Sequence, residues 1–126
     1  MNMPVISVPE GPTHVLPGSR FTSLATPSRG SRDTAVWKVE VAPGTPGTPH
    51  WLTREEVFVV LTGRADVILD STEGTALPGD AIVVPAGVRF ELRNTGRDPL
   101  QLVCCMPVGG QARLEDGTML TPPWAE

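Results

Sequence analysis

Few residues in this chain could do chemistry, and they fall at telling intervals. Five residues separate Gly44 from His50, five separate His50 from Glu56, and six separate Glu56 from Gly63. An imidazole and a carboxyl among apolar neighbours can exchange protons near neutral pH, orient a ligand, or contribute to a metal site. A second stretch has the same logic: Gly79, Pro85, Gly87, Phe90 and Asn94, separated by five, one, two and three residues. The remaining reactive groups are His14 and the adjacent Cys104 and Cys105. Neighbouring cysteines close a strained ring, so two reduced thiols are expected. Cys104 sits where a reactive thiol would, but no base accompanies it, and a free cysteine is most often a small buried hydrophobe.

These residues need strands to hold them. With 126 residues, the chain has room for one domain and one core. Its 14 Pro and 13 Gly rule out long helices, while 40% hydrophobic residues rule out disorder. A turn-rich all-β domain is expected. Residues 1–33 read as an extended arm with one or two edge strands, 34–108 as the core, and 109–126 as a polar tail. Within the core, alternation places Trp37, Val39 and Val41 on one face. The Gly/Pro loop 42–49 precedes a strand at His50–Leu52. Strands are further expected at 56–61, 65–69, 81–84, 89–93 and 100–106, with a polar turn at 70–74 and the 81–84 strand buried.

Composition also bounds the partners. A net charge of −4 without a basic run argues against nucleic acid and anionic membranes. The longest apolar run, Val57 to Leu61, cannot span a bilayer. Met1 to Pro9 lacks a basic flank and an apolar core, so no signal peptide is expected and a cytoplasmic location is the default.

The two spaced stretches resemble the paired motifs of the cupin superfamily, small jelly-roll β-barrels. The first family motif runs Gly-x5-His-x-His-x3-4-Glu-x6-Gly, and Gly44, His50, Glu56 and Gly63 fall at its spacing. The second runs Gly-x5-Pro-x-Gly-x2-His-x3-Asn, matched by Gly79, Pro85, Gly87 and Asn94. The resemblance covers 44–94 and implies an all-β, single-domain cupin jelly-roll β-barrel with an extended N-terminal arm, commonly a homodimer joined through edge strands. In the family three histidines and the glutamate converge on a metal inside the barrel. Here Leu52 and Phe90 occupy two of the histidine positions, and His14 is the only other histidine. Zinc and iron usually need three or more protein ligands. No cofactor is therefore expected; the alternative is a divalent transition metal held by His50 and Glu56 with an atypical third ligand such as His14 or Cys104.

Alternation then sets the pocket. His50 facing inward carries Leu52 with it, Glu56 carries Phe58 and Val60, and Phe90 carries Leu92. The last strand allows two registers, and the resemblance favours Leu102, Cys104 and Met106 inside, opposite Trp37. The expected result is an apolar cup of Trp37, Leu52, Phe58, Phe90, Leu92, Leu102, Cys104 and Met106, with His50 and Glu56 hydrogen-bonded across adjacent strands. Such a lining suits a small hydrophobic or aromatic metabolite. Burial raises a glutamate's pKa and lowers a histidine's, and pairing opposes both shifts. Three functions follow. One is metal-independent acid–base cyclisation or isomerisation, with His50 as base or acid and Glu56 its partner. The second is non-catalytic ligand binding or sensing, with the pair a satisfied polar contact. The third is a metal-dependent oxygenase or isomerase with an unusual site. Outside the cup, Trp51, Lys38, Glu40, Arg89 and Arg93 should face outward, Arg54–Glu55 should be a solvated turn, and Trp124 is expected to pack on a neighbouring subunit.

Overall fold

A computed structural model describes residues 4–126; the first three residues of the expected arm lie outside the described part. The chain folds into two antiparallel sheets whose inner faces share one core. β1 (His14–Leu16) and β2 (Ser19–Ala25) form a hairpin that pairs with β3 (Thr34–Val41). β4 (His50–Leu52) and β5 (Glu56–Thr62) follow the Gly/Pro loop. β6 (Ala65–Leu69), β7 (Thr72–Ala76), β8 (Ala81–Val84) and β9 (Arg89–Arg93) lead to β10 (Leu100–Pro107), β11 (Ala112–Leu114) and β12 (Met119–Leu120). One six-stranded sheet runs β1-β2-β3-β10-β5-β8 and the other β12-β11-β4-β9-β6-β7. This is the jelly-roll arrangement.

Alternation decides what each strand buries. On β3 the inward residues are Ala35, Trp37, Val39 and Val41, and on β10 they are Leu100, Leu102, Cys104 and Met106, all buried. The register places Cys104 opposite Trp37 on one side and Phe58 on the other. Each large side chain buried in this way contributes roughly 1.5–3 kcal/mol. Lys38, Glu40, Arg89 and Arg93 stand at the alternate positions. There Gln101 Nε2 donates to Glu40 at 3.1 Å, and Arg89 lies 3.8 Å from Glu115.

The motif residues hold the turns. Gly63 has φ 86°, and a Cβ there would stand 2.6 Å from the Pro99 carbonyl oxygen, so this β5–β6 turn admits no side chain. Asn94, fully buried, donates from Nδ2 to the carbonyls of Val41 and Asp98 at 2.9 Å each, and its Oδ1 accepts from the Gly96 amide at 3.0 Å. It ties the end of β9 to the end of β3. Pro85 ends β8 without leaving a ladder donor idle.

Four expectations are corrected. The polar turn at 70–74 is shorter, because Asp70 takes a left-handed conformation (φ 52°) and Leu69 already pairs with Thr72. β7 is an edge strand with an exposed surface, so its polar residues carry no apolar signal. The 81–84 strand is buried on one face only: Ile82 and Val84 point inward while Val83 is exposed, because β8 is also an edge. The polar tail supplies β11 and β12 to the second sheet, with Ala112 opposite Leu52. Finally, Trp124 packs on its own chain. Its ring stacks on Phe21 at 3.7 Å and 10°, and its carbonyl accepts from Ser23 Oγ at 2.8 Å. Pro122 and Pro123 preset the 3-10 turn that delivers it there.

Candidate functional site

β4 and β5 carry the two titratable residues of interest, but on opposite sheets. His50 lies between β9 and β11, with Phe90 and Leu114 as its register partners. Glu56 begins β5 opposite Val84, on the face shared by Phe58 and Val60. The expected hydrogen bond across adjacent strands is therefore absent, since the intervening turn moves the chain from one sheet to the other. Phe90 packs against His50 instead. Its ring meets His50 edge-on, centroids 5.5 Å apart, and lies 5.3 Å from Phe58.

Each group has its own electrostatic setting. His50 Nδ1 lies 2.8 Å from the Thr48 carbonyl oxygen. A carbonyl only accepts, so Nδ1 carries the hydrogen and Nε2 presents a lone pair. Burial lowers the His50 pKa, and the bond to Thr48 partly opposes that shift. Glu56 is 5% exposed and receives no hydrogen bond from any described group; burial alone pushes its pKa up to about 8. At neutral pH it is mostly a protonated acid, able to donate. Ser31 Oγ is the one fully buried side-chain oxygen or nitrogen without a partner among the described residues. The unpartnered Nε2 and Glu56 carboxyl therefore both keep some access from outside.

The predicted cup residues come together, as core. Trp37, Leu52, Phe58, Phe90, Leu102, Cys104 and Met106 all belong to one cluster of buried side chains, with Leu92 only half-buried against it. Two cavities of about 350 and 330 Å³ lie elsewhere. The first is lined by residues of β6, β7 and β9 with Arg64 and Thr95, and the second by the 44–47 loop with Glu91, Arg93, Asn94 and Thr95. Cys104 is enclosed, and burial, the nearby Glu56 and Cys105 together raise its pKa well above the ordinary thiol value. That keeps it protonated and weakly nucleophilic. Trp51 faces outward, with the Arg113 guanidinium 4.3 Å from its ring centroid.

The donor set does not suit a metal. Among the described residues, no three of His, Cys, Asp and Glu come together. Leu52 and Phe90 offer no lone pair where the family motif has histidines. His14 is on β1, hydrogen-bonded to Thr13 Oγ1 at 2.9 Å and edge-on to Trp124.

Sequence reasoning missed Thr48 and Glu91. Thr48 supplies the carbonyl that fixes the ring of His50, and backbone groups leave no mark in side-chain patterns. Glu91 should face outward by alternation, yet it is buried beneath the 42–49 loop. Only the loop's path could have revealed it.

Known proteins align with this arrangement. A family profile described as Cupin domain matches residues 37–106. Auxin-binding protein 1 of Arabidopsis thaliana is 31% identical over 95 residues, which is 68% of this chain and 48% of that protein. An uncharacterized protein of Methanocaldococcus jannaschii is 34% identical over 53 residues, 42% of either chain. The chain spans less than half the length of the curated relatives it matches. The solved structure of KdgF from Halomonas sp. superposes with a TM-score of 0.67 at 24% identity, covering 85% of this chain and 90% of that one. At that identity the likeness shows the fold alone. Among the described residues, no helix is long and apolar enough to cross a membrane. The matched segment runs from Trp37 on β3 to Met106 on β10, through both spaced motifs and the strands that hold His50, Glu56 and Phe90, and the chain belongs to the cupin domain family.

Proposed function

We propose that this cupin binds a small hydrophobic or aromatic molecule beside His50 and Glu56 and handles it by metal-independent acid–base chemistry, as a cyclase or isomerase does. One observation carries the reading: a glutamate 5% exposed, without a hydrogen-bond partner, and raised to about 8 by burial. An unpaired buried carboxyl costs stability, and such groups cluster at functional sites. Glu56 then donates to a ligand carbonyl while the lone pair of His50 Nε2 accepts the departing proton. Their opposite environments divide the roles of acid and base. Phe90, in contact with both His50 and Phe58, is the side chain that must swing for a ring-sized guest to enter.

Exchange of the α-protons of phenylacetone in deuterated buffer, followed by proton NMR, tests the chemistry without a known substrate. The protein is expected to accelerate exchange at pH 7, and His50→Ala and Glu56→Gln to remove the acceleration. Exchange that both variants sustain at the parent rate would refute the role of the pair. Saturable binding of phenylacetone without exchange would favour a second reading, a ligand-binding or sensing module. The likeness to a protein named for auxin binding supports that alternative. Stoichiometric iron, manganese, nickel or zinc in tag-free protein would instead favour a metal-dependent enzyme. A homodimer in the cytoplasm completes the proposal, and sedimentation velocity tests the dimer.

A further inference from the structure

The loop before β4 is held at two points by β9 and the residue that follows it. The Gly44 amide donates to the Asn94 carbonyl at 3.0 Å. Three residues on, Gly47 lies so close to Glu91 that a Cβ at Gly47 would stand 2.5 Å from Glu91 Cγ and 2.9 Å from Oε1. Glu91 has little freedom to yield. It is 7% exposed, and Arg93 Nη2 donates to both its carboxylate oxygens at 3.0 Å. The next residue, Thr48, precedes Pro49, which disfavours helical backbone at Thr48. Its carbonyl receives the Nδ1–H of His50 at 2.8 Å.

We propose that the Glu91–Gly47 contact is a positioning device: it sets the loop so that the Thr48 carbonyl locks His50 in its Nδ1–H tautomer, leaving Nε2 a permanent acceptor for a ligand with a hydrogen to give. Glu91 and Gly47 are positioning residues. They act through Thr48 on the ring of His50, and Arg93 steadies Glu91. The ligand class follows from the tautomer. A hydroxyl, an N–H or an acidic C–H meets Nε2 favourably, whereas a bare carbonyl or ether oxygen meets a lone pair. The functional weight of the device rests on His50 acting as proposed above, but the tautomer does not, and it can be read with no substrate present.

The chain has only two histidines, His14 and His50. Long-range proton–nitrogen correlation spectra of uniformly ¹⁵N-labelled protein at pH 8, assigned with His14→Gln, therefore report the His50 tautomer directly. The parent is expected to show Nδ1–H. Gly47→Ala pushes the loop away from Glu91 and Glu91→Ala withdraws its support. Each should lower the ratio of Nδ1–H to Nε2–H by about fivefold, the loss of one ordinary hydrogen bond. Gly47→Ala/Glu91→Ala places the new methyl in the vacated space and should lie closer to the parent than either single variant, since contacting residues are not additive. An Nε2–H ring in the parent would overturn the proposal. So would single variants that retain the parent ratio, or a double variant no closer to it than they are. If Gly47→Ala does not fold, Glu91→Ala alone decides between the same outcomes.

Discussion

Glu56→Gln should make the protein more stable at neutral and alkaline pH while impairing its function. In the unfolded chain the carboxyl titrates at its ordinary 4.5; in the folded chain burial raises it to about 8. Below pH 4.5 both states hold the proton and the residue carries no ionisation penalty. Between 4.5 and 8 the unfolded chain releases its proton and the folded chain keeps it. The folded state then binds more protons, and its stability falls as pH rises. The slope is about 1.36 kcal/mol per pH unit, which amounts to about 3 kcal/mol at pH 7 and nearly 5, roughly, above pH 8. Glutamine has nearly the same shape and no ionisation, so the variant escapes this slope. Its amide does bring a donor with no partner, a cost that is constant with pH. Urea unfolding of parent and variant, followed by tryptophan fluorescence from pH 4.5 to 8.5, reads the difference. The prediction is a gap that widens in the variant's favour through this window and levels off above pH 8. A gap independent of pH would refute the reasoning, because Glu56 would then titrate alike in the folded and unfolded chains. A gain in stability coupled to a loss of proton exchange is the signature of a group kept for function.

Other side chains give independent checks. Phe90→Ala empties a buried position between His50 and Phe58; it should cost about 3–5 kcal/mol in urea unfolding and, if it folds, admit a ring-sized guest such as benzene. Trp124→Ala removes the stack on Phe21 and should lower stability by at least about 0.5–1.5 kcal/mol without changing the oligomeric state seen by sedimentation. A changed oligomer would show that the ring serves a subunit contact after all. Cys104, enclosed and held protonated, should resist iodoacetamide at pH 8 in the folded protein and react once urea unfolds it, as peptide mass spectrometry would record.

Much of the barrel was legible because its signals are local and periodic. The alternation in 35–41 survives in β3, since a strand with one face on the core must repeat every second residue, whereas 100–106 is mostly apolar on both faces and its register in β10 followed from the family resemblance. Edge strands escaped the same reading. β7 buries little beyond Ala76, and β11 and β12 are short, so hydrophobic period has little to register there. Trp124 was legible as a residue needing a partner, but its partner, Phe21, stands near the other end of the chain.

The site divides in the same way. Sequence determined which residues could act: the spacing of the two motifs singled out His50 and Glu56, and Leu52 and Phe90 removed the lone pairs that a metal would need. Only the tertiary structure decided how they stand. The turn at 53–55 carries the chain from one sheet to the other, so the residues that looked paired stand on opposite sheets, with Phe90 edge-on to His50. Apolar enclosure made Glu56 an acid, and a loop seated on Glu91 gave His50 its hydrogen-bonded carbonyl. Residue type sets what a group can do. Solvent exclusion and a fixed hydrogen bond set its protonation, and both depend on neighbours that are distant in sequence.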